Sequence, residues 1–383
     1  MKRFIKNIIL LSLTAPALTA CLEEAYPGRG FTQEQLFETD NTAAALSKAI
    51  PGAMLRMGNG NGHYGYAGLF MDRETMCAEI PVYDMLYDYY QDEGFDRNYS
   101  PEFYVATDWW PFYYELIKKA NLTVGAVAIN ENTSTEELAH VGNALGYRAF
   151  AYYDMAFAYE YKKTGYAKLD EKAAVDKIYG LTVPIRTEST TQQEATKDSR
   201  APFYVMYRFI MTDLDRAEKY LQGYKRSGAN MMDQGVIFGI KARLWLQLGS
   251  RFEKYNADLQ EQLAHENDEA LAKYDKLGIT SANDCFKKAA QYARLAISEG
   301  HRPLTKAEWF NSTTGFNTAN EAWLLAVQIN SNVDKRTYHL HNEGGNQYAS
   351  HETGYLQHRH EIVTAEVTQY GDDVRHHAPL LMP

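Results

Sequence analysis

Between residues 108 and 300 apolar side chains recur at three- and four-residue spacing, in blocks separated by polar stretches. That period restricts the chain to helices, each burying one face against a neighbour. Asp108 is expected to cap a helix that carries Trp110, Tyr114, Ile117, Asn121 and Val124 on one face. Thr133-Ser134-Thr135-Glu136-Glu137 supplies N-cap chemistry for a longer helix with Leu138, Val141, Leu145, Ala149, Tyr152 and Ala156 in phase. These two are expected to pack as an antiparallel pair. A second pair spans 201–252, with Val205, Phe209, Leu214, Ala217 and Leu221 on its first helix and Ile237, Ile240, Leu244 and Leu248 on its second. A third block, 282–299, presents Phe286, Ala289, Ala290, Tyr292, Ala293 and Ile297 and stops at Gly300.

Outside these blocks the pattern changes. A first helix is expected from Thr32 to about Met57, followed by the glycine-rich loop 58–62. From His63 to Phe103 the tyrosines crowd without a clean period, which reads as irregular structure with short pieces of helix. The linker from Lys162 to Thr191 holds an extended edge at 179–185, where β-branched residues meet Pro184. From Asn311 onward periodicity is poor. Helix pairs with small residues at their crossings resemble tetratricopeptide repeats. The expected fold class is therefore mostly α: an α-α superhelix of irregular tetratricopeptide-like pairs with a loop-rich face.

The N-terminus reads as a signal peptide. Met1-Lys2-Arg3 and Lys6 precede the apolar run Ile8 to Leu13, and small residues lead to Cys21. This stretch is too short and wrongly flanked to span a membrane. Leu18-Thr19-Ala20-Cys21 resembles a lipobox, so Cys21 is the expected lipidation site, and acyl chains would tether the protein. Cys77 and Cys285, the only other cysteines, are too far apart in sequence for a metal knuckle and are expected to be buried free thiols. A net charge of -10 with no Lys/Arg cluster disfavours nucleic acid as a partner. Tyrosine outnumbers phenylalanine 29 to 16, and its flat apolar face with a polar rim suits stacking on sugar rings.

Several segments, in order, resemble the SusD/RagB family of outer-membrane lipoproteins. They are the lipobox; Trp110 to Tyr114 with Ile117 and Ala120-Asn121; Arg148 to Tyr152; Tyr179-Gly180 and Val183-Pro184-Ile185; Ile210 with Asp213-Leu214 and Ala217-Glu218; Ala242 to Leu246; and Ala289 to Ala293. The resemblance implies repeat-like helix pairs supporting a loop-rich ligand face. It also implies a SusC-like TonB-dependent transporter as partner, which receives captured oligosaccharide or peptide. It divides the chain into a signal peptide at 1–20, a lipidated leader at 21–31 and one SusD-like domain at 32–383. Glu23-Glu24, just after the cysteine, are placed like the family's surface-export signal. Family members are commonly longer, so the end at Ala378 to Pro383 is expected to mark a truncation or frameshift.

Sugar recognition by stacking needs exposed aromatic faces beside amide, carboxylate or guanidinium groups. The expected ligand contacts are Tyr83, Tyr87, Tyr89 and Tyr90, with Asp84, Asp88 and Gln91 beside them, together with Trp109 and Trp309. Trp109 is preferred to Trp110, which belongs to the family-like helical face, and Trp309 to Trp245 and Trp323, which sit among apolar neighbours. Arg148 lies on an apolar stripe and is expected to bridge helices through a buried partner. The histidines from His339 to His377 lack the spacing of a zinc site and read as surface residues. No cofactor is expected, and a calcium site stays open. No paired-carboxylate motif, nucleophile elbow or phosphate loop marks an enzyme. The alternative to a nutrient-binding lipoprotein is a tetratricopeptide-like interaction scaffold.

Overall fold

The computed structural model describes residues 41–55, 65–76, 104–197, 199–311, 313 and 319–327. The leader with Cys21, Cys77, the four tyrosines from Tyr83 to Tyr90, and the histidines from His339 onward lie outside them. The helices are α1 (Thr42–Ala53), α2 (Gly65–Met76), α3 (Tyr104–Gly125), α4 (Thr135–Tyr159), α5 (Ala167–Val175), α6 (Gln192–Ala195), α7 (Phe203–Tyr220), α8 (Gln234–Lys254), α9 (Asn256–Ala264), α10 (Ala282–Ser298) and α11 (Lys306–Trp309). Among the described residues there is no strand: the extended edge makes only isolated bridges, Tyr161 to Tyr179 and Leu181 to Pro202.

Helix α4 is the centre of the fold. Ser134 starts it with a reciprocal cap, in which its hydroxyl accepts the Glu137 N–H at 3.2 Å and the Glu137 carboxylate accepts the Ser134 N–H at 2.9 Å. From Ala139 to Ala156 every residue of α4 is buried. A helix covered on all sides needs neighbours on all sides, and α3 and α7 supply most of that cover. Two glycines of α4 allow close approach, Gly142 by the end of α7 and Gly146 by α8. A Cβ on Gly142 would sit 2.8 Å from Leu221 Cγ, and one on Gly146 would sit 2.8 Å from Ile237 Cδ1.

The pairing differs from the expected one. Helix α7 spends its apolar face chiefly on α4, and α8 spends its own chiefly on α10, so the contact between α7 and α8 is the smaller one. The phase of α3 also differs. Its core face carries Trp109, Phe112, Tyr113, Leu116, Ile117, Ala120 and Val124, which keeps Ile117 and Val124 of the expected stripe but replaces Trp110, Tyr114 and Asn121 by residues one position, about 100°, away. Consecutive aromatics at 109 to 114 fit either stripe, and Asp108 lies inside a helix that begins at Tyr104. Helix α5 escapes a period reading because it buries only Ala173.

Charged side chains tie the helices together inside the core. Arg148, 1% exposed, donates from Nε and Nη2 to Asp213 of α7 at 2.7 and 2.8 Å, and from Nη1 to Asn121 at 2.7 Å and Glu188 at 2.6 Å. This is the interhelical bridge expected of an arginine on an apolar stripe. Arg251 of α8 joins Glu160 and Asp258 at 2.7 and 2.8 Å, and Tyr179 donates to Asp258 at 2.9 Å, which binds the extended edge to α8 and α9. Arg208 is held differently, by the backbone carbonyls of His265, Leu271, Tyr274 and Asp275, where it satisfies acceptors after α9 that no helix would otherwise bond.

Candidate aromatic groove

Helix α10 was expected to bury Ala293 and Ile297, yet both are exposed, Ile297 at 62%. They form one side of a groove of about 1010 Å³ whose other sides come from α2, α4, α8 and the segment 322–327. Four aromatic rings stand in its otherwise largely aliphatic wall: Tyr66 and Phe70 from α2, Phe150 from α4, and Trp323. Phe70 is 48% exposed, so its ring faces the opening.

The segment carrying Trp323 is positioned by backbone bonds. Ala326 N–H donates to the Ala229 carbonyl at 2.9 Å, and Arg226 donates to the carbonyls of Trp323, at 3.2 Å, and Leu324. Arg226 is itself held by Asp233 at 2.8 Å. Gly239 of α8 allows the close approach, since a Cβ there would stand 3.0 Å from Leu324 Cδ1.

Polar groups gather near the Tyr66 side. The Tyr66 and Tyr113 hydroxyls donate to Asp154 Oδ2 at 3.2 and 3.0 Å, and Arg73 Nη1 lies 3.2 Å from the same oxygen. Asp154 Oδ1 has no hydrogen-bond partner. Burial and then the Asp154 charge push the Tyr66 hydroxyl far above the ordinary tyrosine range, so it stays a neutral donor. Arg243 of α8 lines the groove with its guanidinium 5.4 Å from the centre of the Tyr153 ring. Aromatic faces next to a guanidinium suit a polyhydroxylated ring with one apolar face. Among the described residues no group of three or more His, Cys, Asp or Glu could hold a metal ion.

Of the expected ligand contacts, the described residues include only Trp109 and Trp309, and neither lines the groove. Tyr83, Tyr87, Tyr89 and Tyr90 lie outside the described residues. Trp109 is 6% exposed and belongs to the core, while Trp110 is 36% exposed and packs on Tyr114 and Tyr159 with ring centres 5.0 and 5.2 Å away. The preference for Trp109 as the exposed ring is thereby reversed, for the same one-residue phase shift that moved the α3 stripe. Trp309 closes the short helix α11, half-buried and off the groove. Trp323 was set aside for its apolar neighbours, and those neighbours prove to be the groove wall. Tyr66 belongs to the tyrosine-rich stretch, the one available signal, whereas nothing local marks Phe150 or Arg243.

Residues 60–227 match a SusD-like family model described as starch-binding and associating with the outer membrane. That segment is SusD-like. The matched segment includes Tyr66, Phe70, Arg73, Phe150 and Asp154, and Arg243 and Trp323 lie beyond it. Among solved structures, a SusD-like carbohydrate binding protein from Bacteroides vulgatus aligns at a TM-score of 0.53 with 18% identity, over 74% of this chain and 49% of that one. This likeness shows the shared, mostly helical fold, and the chain spans about half the length of that relative. A SusD-like carbohydrate binding protein from Bacteroides fragilis aligns at 0.43 with 13% identity, over 74% and 45% of the two chains. A laminarin binding SusD-like protein aligns at 0.41 with 16% identity, over 73% and 50%. No curated protein sequence matches. Among the described residues no helix is long and apolar enough to cross a membrane.

Proposed function

We propose that this SusD-like protein is a cell-surface lipoprotein, anchored at Cys21 to the outer membrane, that captures an oligosaccharide in the aromatic groove and passes it to a SusC-like TonB-dependent transporter. One observation carries the reading: Tyr66, Phe70, Phe150 and Trp323 line one groove that also presents Arg243. Aromatic faces supply apolar contact to sugar rings while the polar groups orient hydroxyls. The family description as starch-binding and the carbohydrate-binding relatives support the ligand class. Tyr83, Tyr87, Tyr89 and Tyr90 remain proposed contacts.

The protein binds without turnover in this reading. Calorimetric titration of a form starting at Leu22 against neutral and acidic oligosaccharides, followed by chromatography of the mixtures, tests it. Saturable binding with intact oligosaccharide recovered is expected. Shortened products would establish an enzyme instead, and no binding across the panel by the folded protein would favour a scaffold.

A further inference from the structure

The whole chain carries a net charge of -10, yet the polar end of the groove is arranged differently. Two guanidiniums, Arg73 and Arg243, stand within electrostatic range of Tyr66 and Tyr153 together with a single carboxylate, Asp154. Arg73 is spent on that carboxylate at 3.2 Å, and the Asp154 side chain is 1% exposed. Arg243 is exposed, lines the groove and makes no ion pair among the described residues. The carboxylate nearest to Trp323 in sequence, Glu321, is occupied by Arg302 at 2.7 Å.

A guanidinium left without a carboxylate beside aromatic rings matches a planar anion in both charge and geometry, since its parallel N–H groups can grip two oxygens at once. From this we infer that the groove selects acidic oligosaccharides, with Arg243 pairing to the carboxylate of a uronate residue while the neighbouring rings stack on the sugar. The inference rests on the proposed glycan capture and narrows it. A neutral glycan would gain the stacking contacts and leave Arg243 without its charged partner.

The test is calorimetry of the Leu22-start form against oligomers of galacturonate, glucuronate and mannuronate, each beside its methyl ester, at low and high salt. At least one uronate is expected to bind about tenfold or more tightly than its ester, which is a difference of ~1.4 kcal/mol. That preference should shrink as salt screens the pair. Arg243→Gln should bring the uronate and ester affinities to within about twofold of each other, and Arg243→Lys should retain part of the preference, since a point charge cannot reproduce the fork. Circular dichroism and melting temperature of both variants establish that they are folded. Equal affinity for acid and ester, or a preference that survives in folded Arg243→Gln, overturns acidic selection and leaves glycan capture standing. Failure of these acids and of every neutral oligosaccharide to bind overturns both.

Discussion

Arg148 of α4 and Asp213 of α7 meet in the core through two parallel hydrogen bonds of 2.7 and 2.8 Å, with both side chains no more than 2% exposed. The pair lies where the central helix meets its principal neighbour, and Asn121 and Glu188 take the remaining Nη1 donor capacity. Its contribution is better gauged by removing one partner than by counting bonds, because a buried charge left alone is expensive while a replaced pair can be neutral. Asp213→Ala is expected to destabilise the protein by about 3–5 kcal/mol, read as a lower urea midpoint at unchanged slope. Changing Arg148→Met together with Asp213→Leu should recover much of that loss.

Gly142 is where α4 comes closest to the end of α7. Alanine there would gain about 1 kcal/mol of helix propensity, but its Cβ would lie 2.8 Å from Leu221 Cγ and 3.2 Å from Tyr220 Cβ. Those atoms sit near their own backbone and cannot swing aside as a side-chain tip would. Overpacking of about 1–3 kcal/mol therefore wins, and Gly142→Ala should lower the thermal midpoint. Gly52, with nothing within 4 Å of its Cβ position, is the control and should tolerate alanine.

His140, on the second turn of α4, is 7% exposed and neither ring nitrogen has a hydrogen-bond partner. Burial lowers its folded-state pKa below 6.5, with Glu136 and Glu137 opposing and Lys48 assisting. The unfolded chain then binds more protons than the folded one as pH falls. Stability contributed by the neutral ring is fully present above about 6.5 and is lost as pH falls toward the folded value. Urea midpoints measured between neutral and mildly acid pH should fall more steeply for the parent than for His140→Leu. Equal slopes would show that the ring titrates as it does in the unfolded chain.

Cys285 is fully buried, and desolvation together with Asp284 pushes its thiol up to about 12. In a Leu22-start form carrying Cys77→Ser, a thiol reagent at pH 8 should find no reactive cysteine until denaturant is added. Labelling of the native protein at the rate of a free thiol would place Cys285 at the surface.

The fold was largely legible because helix boundaries are written in local chemistry. The Ser134 cap, the Gly300 stop and the stripes of α7 and α8 are short-range signals that tertiary packing does not override. Which helix faces which is a long-range matter: α7 packs chiefly on α4 and little on α8, and nothing in the α7 stripe itself distinguishes the two. The site was less legible for the same reason. Tyr66, Phe150, Arg243 and Trp323 come from four separate parts of the chain, and a half-open groove wall has the composition of a core. Trp109 and Trp110 show the limit most plainly, since one residue of helical phase exchanges a buried ring for an exposed one.

Trp323 lines the groove proposed for the ligand, and Trp309 does not. The most direct test of that site is the affinity of Trp323→Ala and Trp309→Ala, each measured by calorimetry against the oligosaccharide the parent binds best. Trp323→Ala is expected to weaken binding about tenfold or more, a loss of ~1.4 kcal/mol, while Trp309→Ala should stay within about twofold of the parent. Unchanged affinity in a folded Trp323→Ala protein, with the loss appearing in Trp309→Ala, would contradict it and move the site away from the groove.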